Sequence, residues 1–179
     1  MSVRYLVDTD WVIQYLNADT KIVANLDARR ADGIGISVIS IAELYEGAFY
    51  ARDPAVSERK LRDFLAGMSK LPIDEDTCRI FGRERGRLRA ARKIIGDFDL
   101  MIAATAIQHG LTLLTNNRRH FNRIEALHIE SVQTCQLRDS ATWNPVARAE
   151  RWARVVNNNC CWSGGRTCTP LQKSSIATE

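Results

Sequence analysis

The chain has 179 residues, 45% of them hydrophobic and 26% charged, with a formal net charge of +4. That length and apolar content suit one domain with a real core and some excess, and the mild charge permits an acidic partner without demanding one. No run reaches the roughly 18 apolar residues of a membrane span, and the opening MSVRYLVDTD reads as a strand entering a turn rather than a signal peptide, so a cytoplasmic location and no membrane partner are expected.

In chain order, RYLV (4–7) predicts a short apolar strand, and DWVIQYL begins a helix. GIGISV (33–38) predicts a second buried strand. The segment SIAELYEGAFYA follows as a helix, with Ile41, Leu44, Tyr45 and Ala48 on one face. SERKLRDFLAGM reads as another amphipathic helix, KLPI as a short strand, and a long basic helix is predicted from about Asp76 to Lys93. GDFDLMIAATAIQHG predicts a nearly all-apolar helix, with Asp97 as its N-cap and Gly110 as its stop. LTLLT (111–115) is a further strand and LHIESV (127–132) a last one. Short apolar strands separated by helices predict an α/β fold, a three-layer α/β/α domain over residues 1–133 whose central sheet is mainly parallel.

Residues 134–179 break this alternation. They gain Asn, Ser, Thr and Gly, three of the four Trp residues and four of the five Cys residues. VARAERWARVV suggests one short helix; the rest reads as a tail, poorly ordered or foreign to the domain. An odd number of cysteines without an export signal argues against a disulfide framework, and Cys160, Cys161 and Cys168 lack the nearby His or second C-x-x-C of a zinc site.

In parallel α/β sheets, ligands bind beyond the carboxyl ends of the strands. Asp8 follows the first strand, Glu43 is expected in the first turn of the helix after the second, and Thr115, Asn116 and Asn117 follow LTLLT. Asp99 opens the apolar helix leading into that strand. Each residue also has a purely structural reading. Asp8 can cap a helix, Ser40 and Glu43 have capping-box spacing, and Asn117 suits a turn. Their convergence on one sheet edge favours a site, and clustered carboxylates call for a hard cation such as Mg²⁺ or Mn²⁺. Arg85, Arg89 and Arg92, spaced i, i+4, i+7, are expected to form one positive stripe, a solvated face or a contact for an anionic partner.

The ordered blocks LVDTDWVI, SVISIAELYEGA, IIGDFDLMIAATAIQHGLTLLTNNRRHF and RIEALHIESV resemble the motifs of PIN-domain ribonucleases, above all the VapC-type toxins of bacterial toxin–antitoxin pairs. The resemblance spans about residues 3–133 and implies an Mg²⁺-dependent endoribonuclease that a small VapB-type antitoxin neutralises, with a homodimer expected. It implies catalytic roles for Asp8, Glu43 and Asp99, with Asp8 and Asp99 on the metal. Thr9 and Thr115 match small hydroxyl positions that orient water or neighbouring acids. Asn117 falls where relatives carry a fourth Asp or an Asn, which leaves one or two metal ions open. Histidine-based cleavage is disfavoured, because His109, His120 and His128 have no evident partner in the sequence. A metal-dependent DNA nuclease or phosphatase, or a non-catalytic PIN binding module, are the alternatives.

Overall fold

A computed structural model describes residues 3–132. Five short strands, β1 (Tyr5–Val7), β2 (Ile34–Ser37), β3 (Ser69–Leu71), β4 (Thr112–Leu114) and β5 (Ile129–Glu130), form one parallel sheet in the order β3-β2-β1-β4-β5. The expected α/β fold with a central parallel sheet is therefore what the chain adopts. The 134–179 tail and its VARAERWARVV helix lie outside the described residues.

Among the described residues seven α-helices cover the sheet: α1 (Thr9–Leu16), α2 (Thr20–Arg29), α3 (Val38–Phe49), α4 (Pro54–Leu65), α5 (Glu75–Ala90), α6 (Asp97–Gln108) and α7 (Arg118–Phe121). Successive strand residues point to opposite faces, and the core divides accordingly. Val7 and Leu114 pack with Trp11, Ile22, Leu44 and Leu61 on one side. Leu6 and Leu113 pack with Leu88, Leu100, Ile102 and Phe121 on the other. Among the described residues, no helix is long and apolar enough to cross a membrane.

The topology fixes where a site can form. From β1 the chain builds outward to β2 and β3 on one side, then returns to place β4 and β5 on the other. The carboxyl end of β1 is thus the point where strand order reverses, and such crevices are where open α/β sheets bind ligands.

Several boundaries differ from the sequence reading, each for a local reason. The helix begun by DWVIQYL stops at Leu16, because Ala18 turns left-handed (φ 58°) and Asp19 then caps the unforeseen α2 through the amides of Lys21 and Ile22. The basic helix ends at Ala90 rather than Lys93. Arg92 adopts φ 55°, its amide bonds the Arg89 carbonyl, and the Lys93 amide bonds that of Leu88. This is the paired closure of a Schellman motif, built here without glycine. Gly110 (φ 62°) closes α6 in the same way, as expected. The short α7 was not foreseen.

Asp74 ties two helices on the second face. It accepts from the Thr77 amide at the start of α5 and from the Gln108 amide at the end of α6, at 2.6 and 2.8 Å. The Thr77 amide, then Gln108, hold its carboxyl below the usual carboxylate range. Because the folded pKa lies below the unfolded one, this contribution is present above the unfolded value and is lost as pH falls through the folded one. Asp74→Ala is expected to lower the melting temperature at pH 7, with the gap to the unmodified chain closing under acid. Thermal scans across pH 7 to 2 measure this, and a gap that stays constant would contradict it.

Candidate active site

Asp8 leaves β1 directly and starts α1. Its Oδ1 accepts from the Thr9 amide at 2.8 Å and its Oδ2 from the Thr115 hydroxyl at 2.8 Å. It does occupy the N-cap position of α1, but it bonds the first helical amide rather than the second or third that a capping side chain usually takes. Its side chain is 0% exposed.

Glu43 comes from α3. The Thr9 hydroxyl donates to its Oε2 at 2.6 Å. The capping-box reading of Ser40 and Glu43 is not what forms. Ser37 caps α3 by accepting from the Ile39 amide at 3.1 Å, so the helix begins earlier than expected and Glu43 falls in its second turn. Ser40 is buried three residues inside that helix. This shift turns Glu43 from a terminal capping group into a helix-mounted carboxylate facing Thr9.

Asp99 is the third residue of α6 and is also 0% exposed. The N-cap of α6 is Gly96, not Asp97. Asp97 is the first helical residue, and its carboxylate pairs with Arg85 at 2.5 Å. Asp99 Oδ2 instead lies 2.7 Å from Nδ1 of His120 on α7. The absence of an evident partner for His120 is thus corrected: a residue 21 positions away meets it when α7 folds against α6.

The β4–α7 turn closes the arrangement. The Asn117 amide donates to the Thr115 hydroxyl at 3.0 Å, and the Asn117 side chain lies 3.2 Å from His120 Nδ1. One run of hydrogen bonds and close contacts therefore passes through Glu43, Thr9, Asp8, Thr115, Asn117, His120 and Asp99. The acids Asp8, Glu43 and Asp99, the hydroxyls of Thr9 and Thr115, and Asn117 all lie on it. His120 is the added member, and NNRRHF carried a signal for it: a ring three residues past Asn117, beside an apolar Phe. Asn116 has a bracing part. Its backbone amide donates to Asp10 at 2.9 Å, and its side chain accepts from the Val132 amide at 2.9 Å, which fixes the turn between α1 and the end of β5.

The helical spacing behind the arginine stripe does not reach Arg92, since α5 ends at Ala90. Arg85 is held by Asp97 and lies 5.4 Å from the Phe81 ring, Arg89 is exposed on α5, and Arg92 sits beyond the helix end.

Chemically, the site offers carboxylate oxygens on rigid elements, two of them removed from water. Such groups suit a hard, oxygen-seeking cation. Among the described residues, no three His, Cys, Asp or Glu side chains already converge into a finished metal cage. The donor set fits such an ion in kind, while its carboxylates are engaged by protein donors.

A parallel α/β sheet with buried acids at its switch point is the class of domain the fold and site define, and residues 5–127 match the family model of the PIN domain. The chain belongs to the PIN-domain family. It is 32% identical to ribonuclease VapC2 of Haemophilus influenzae over 128 residues, covering 72% of this chain and 97% of that protein. It is also 32% identical to the tRNA(fMet)-specific endonuclease VapC of Shigella flexneri over 95 residues, 53% of this chain and 72% of that one. Among solved structures it resembles VapBC2 from Rickettsia felis bound to a DNA fragment from their promoter, with TM-score 0.69 and 30% identity over 73% of this chain and 100% of that one.

Proposed function

We propose that the chain is a divalent-metal-dependent endoribonuclease of the VapC toxin type, restrained by a small VapB-type antitoxin. The observation that carries this reading is the burial of Asp8 and Asp99 on one run of contacts with Glu43. Carboxylates at zero exposure are costly unless donors and a cation offset their charge. The ribonuclease names of the relatives, and the VapBC complexes among the similar structures, support the same assignment.

Asp8 and Asp99 would hold Mg²⁺ or Mn²⁺. When bound, the ion would supply a water of lowered pKa and polarise a phosphodiester oxygen. The protein's own part is positional. The Thr9 amide and Thr115 hydroxyl fix both oxygens of Asp8. Glu43, only partly buried and steered by the Thr9 hydroxyl, is the acid placed to take a proton from the attacking water. Arg89 on α5 and Arg92 just beyond it, both exposed, are the stripe residues left to meet RNA phosphates or the antitoxin. For the antitoxin, the exposed Val38, Phe49 and Tyr50 of the α3 segment offer an apolar seat on the helix that carries Glu43. A homodimer is part of the same proposal.

Incubating the purified chain with labelled RNA, in Mg²⁺ or in excess EDTA, tests the reading. Cleavage is expected only with the metal, leaving 5′-phosphate and 3′-hydroxyl ends. Equal cutting in EDTA would overturn the metal mechanism. Parallel reactions on DNA and small phosphoesters separate the nuclease and phosphatase alternatives, and inertness on all three would favour a binding module.

A further inference from the structure

The proposed mechanism leaves His120 unused, although it touches one of the two fully buried acids of the site. We infer that His120 is a positioning residue: it holds the Asp99 carboxylate in one orientation through Nδ1 and so prepares it to receive a divalent cation. This rests on the metal-dependent reading above.

The geometry gives His120 a defined hydrogen pattern. An ionised carboxylate only accepts hydrogen bonds, so the 2.7 Å contact to Asp99 Oδ2 requires the hydrogen on Nδ1. The Asn117 side-chain nitrogen lies 3.2 Å from the same Nδ1, which has given its hydrogen to Asp99 and has no lone pair left, so it is a close contact and not a second hydrogen bond. Asn117 in turn donates through its backbone to Thr115, whose hydroxyl serves Asp8. His120 therefore sits between Asp99 and Asn117, whose backbone leads through Thr115 to Asp8.

The ring is fixed from behind. Phe121, the next residue, is completely buried, and Ile124 is nearly so, which pins α7 against the second core. A group this short in reach and this well anchored adds direction as well as a bond. Outer partners of this kind hold a ligating carboxylate in its binding rotamer, and losing one typically costs about 10- to 100-fold in metal affinity. Nothing in the arrangement requires His120 to touch the ion or the RNA.

The test is Mn²⁺ binding to the purified full chain, read by electron paramagnetic resonance of the free ion, which needs no cleavage. His120→Ala is expected to bind Mn²⁺ about 10- to 100-fold more weakly while keeping its fold by circular dichroism. His120→Asn places an amide N–H where Nδ1 stood and is expected to recover most of that loss. Should His120→Ala fail to fold, His120→Asn carries the test alone, with binding within a few-fold of the unmodified chain expected. If the folded Ala variant binds Mn²⁺ as tightly as the unmodified chain, or if Asn restores folding but not binding, the inference is wrong. If the unmodified chain itself binds no Mn²⁺, it is the metal-dependent reading that fails.

Discussion

Asp99→Asn is expected to reduce RNA cleavage by well over the roughly 10- to 100-fold that losing an outer partner of a metal ligand costs, because under the proposed metal-dependent function it removes the charge of a ligand itself. Asp8→Asn should do the same. Both changes keep the size of the side chain and at least one accepting oxygen. At Asp8 the Thr115 hydroxyl can rotate to accept from the new amide, so the network survives without its charge. Removing one of two buried carboxylates also relieves repulsion when no cation is present, so the melting temperature should hold or rise slightly. A cleavage assay paired with a thermal melt reads both. Full activity in either variant would remove that acid from the site, and unfolding in Asp8→Asn would mean that capping α1 is its main work.

The second large effect concerns Trp11, which lies completely buried three residues after Asp8. It packs in the first core with residues such as Val7, Ile22, Leu44 and Leu61, and so anchors the helix that Asp8 starts and on which Thr9 sits. Trp11→Ala is expected to cost about 3–5 kcal/mol, the range for emptying a large aromatic site. Trp11→Phe should cost much less, because the indole N–H has no hydrogen-bond partner among the described residues and its loss strands nothing. Urea titrations that report both the midpoint and the slope measure the difference. A Phe variant as unstable as the Ala variant would show that the N–H is engaged after all.

The sequence by itself determined the class of the protein. Short apolar runs such as LTLLT, with helices between, admit few arrangements other than a covered parallel sheet, since strands buried on both faces lose their polar alternation. Asp8, Glu43, Asp99 and Thr115 were legible because strand ends and following helix starts share one sheet edge whatever the packing details. Gly110 was legible as a stop because glycine tolerates a left-handed residue without penalty.

Tertiary structure decided the rest, and the reason is the same each time. Ala18 and Arg92 adopt the left-handed conformation that closes a helix, with no glycine to announce it. That strain persists only because the neighbouring hydrogen bonds and packing over-determine the turn. Ser37 rather than Ser40 caps α3, so Glu43 moved one turn inward. The His120–Asp99 contact joins residues 21 apart on separate helices, and it exists only once Phe121 is buried beside the second core. Local propensity and periodicity fix which residues reach the carboxyl edge of the sheet. Which of them touch depends on long-range burial, which no window of sequence contains.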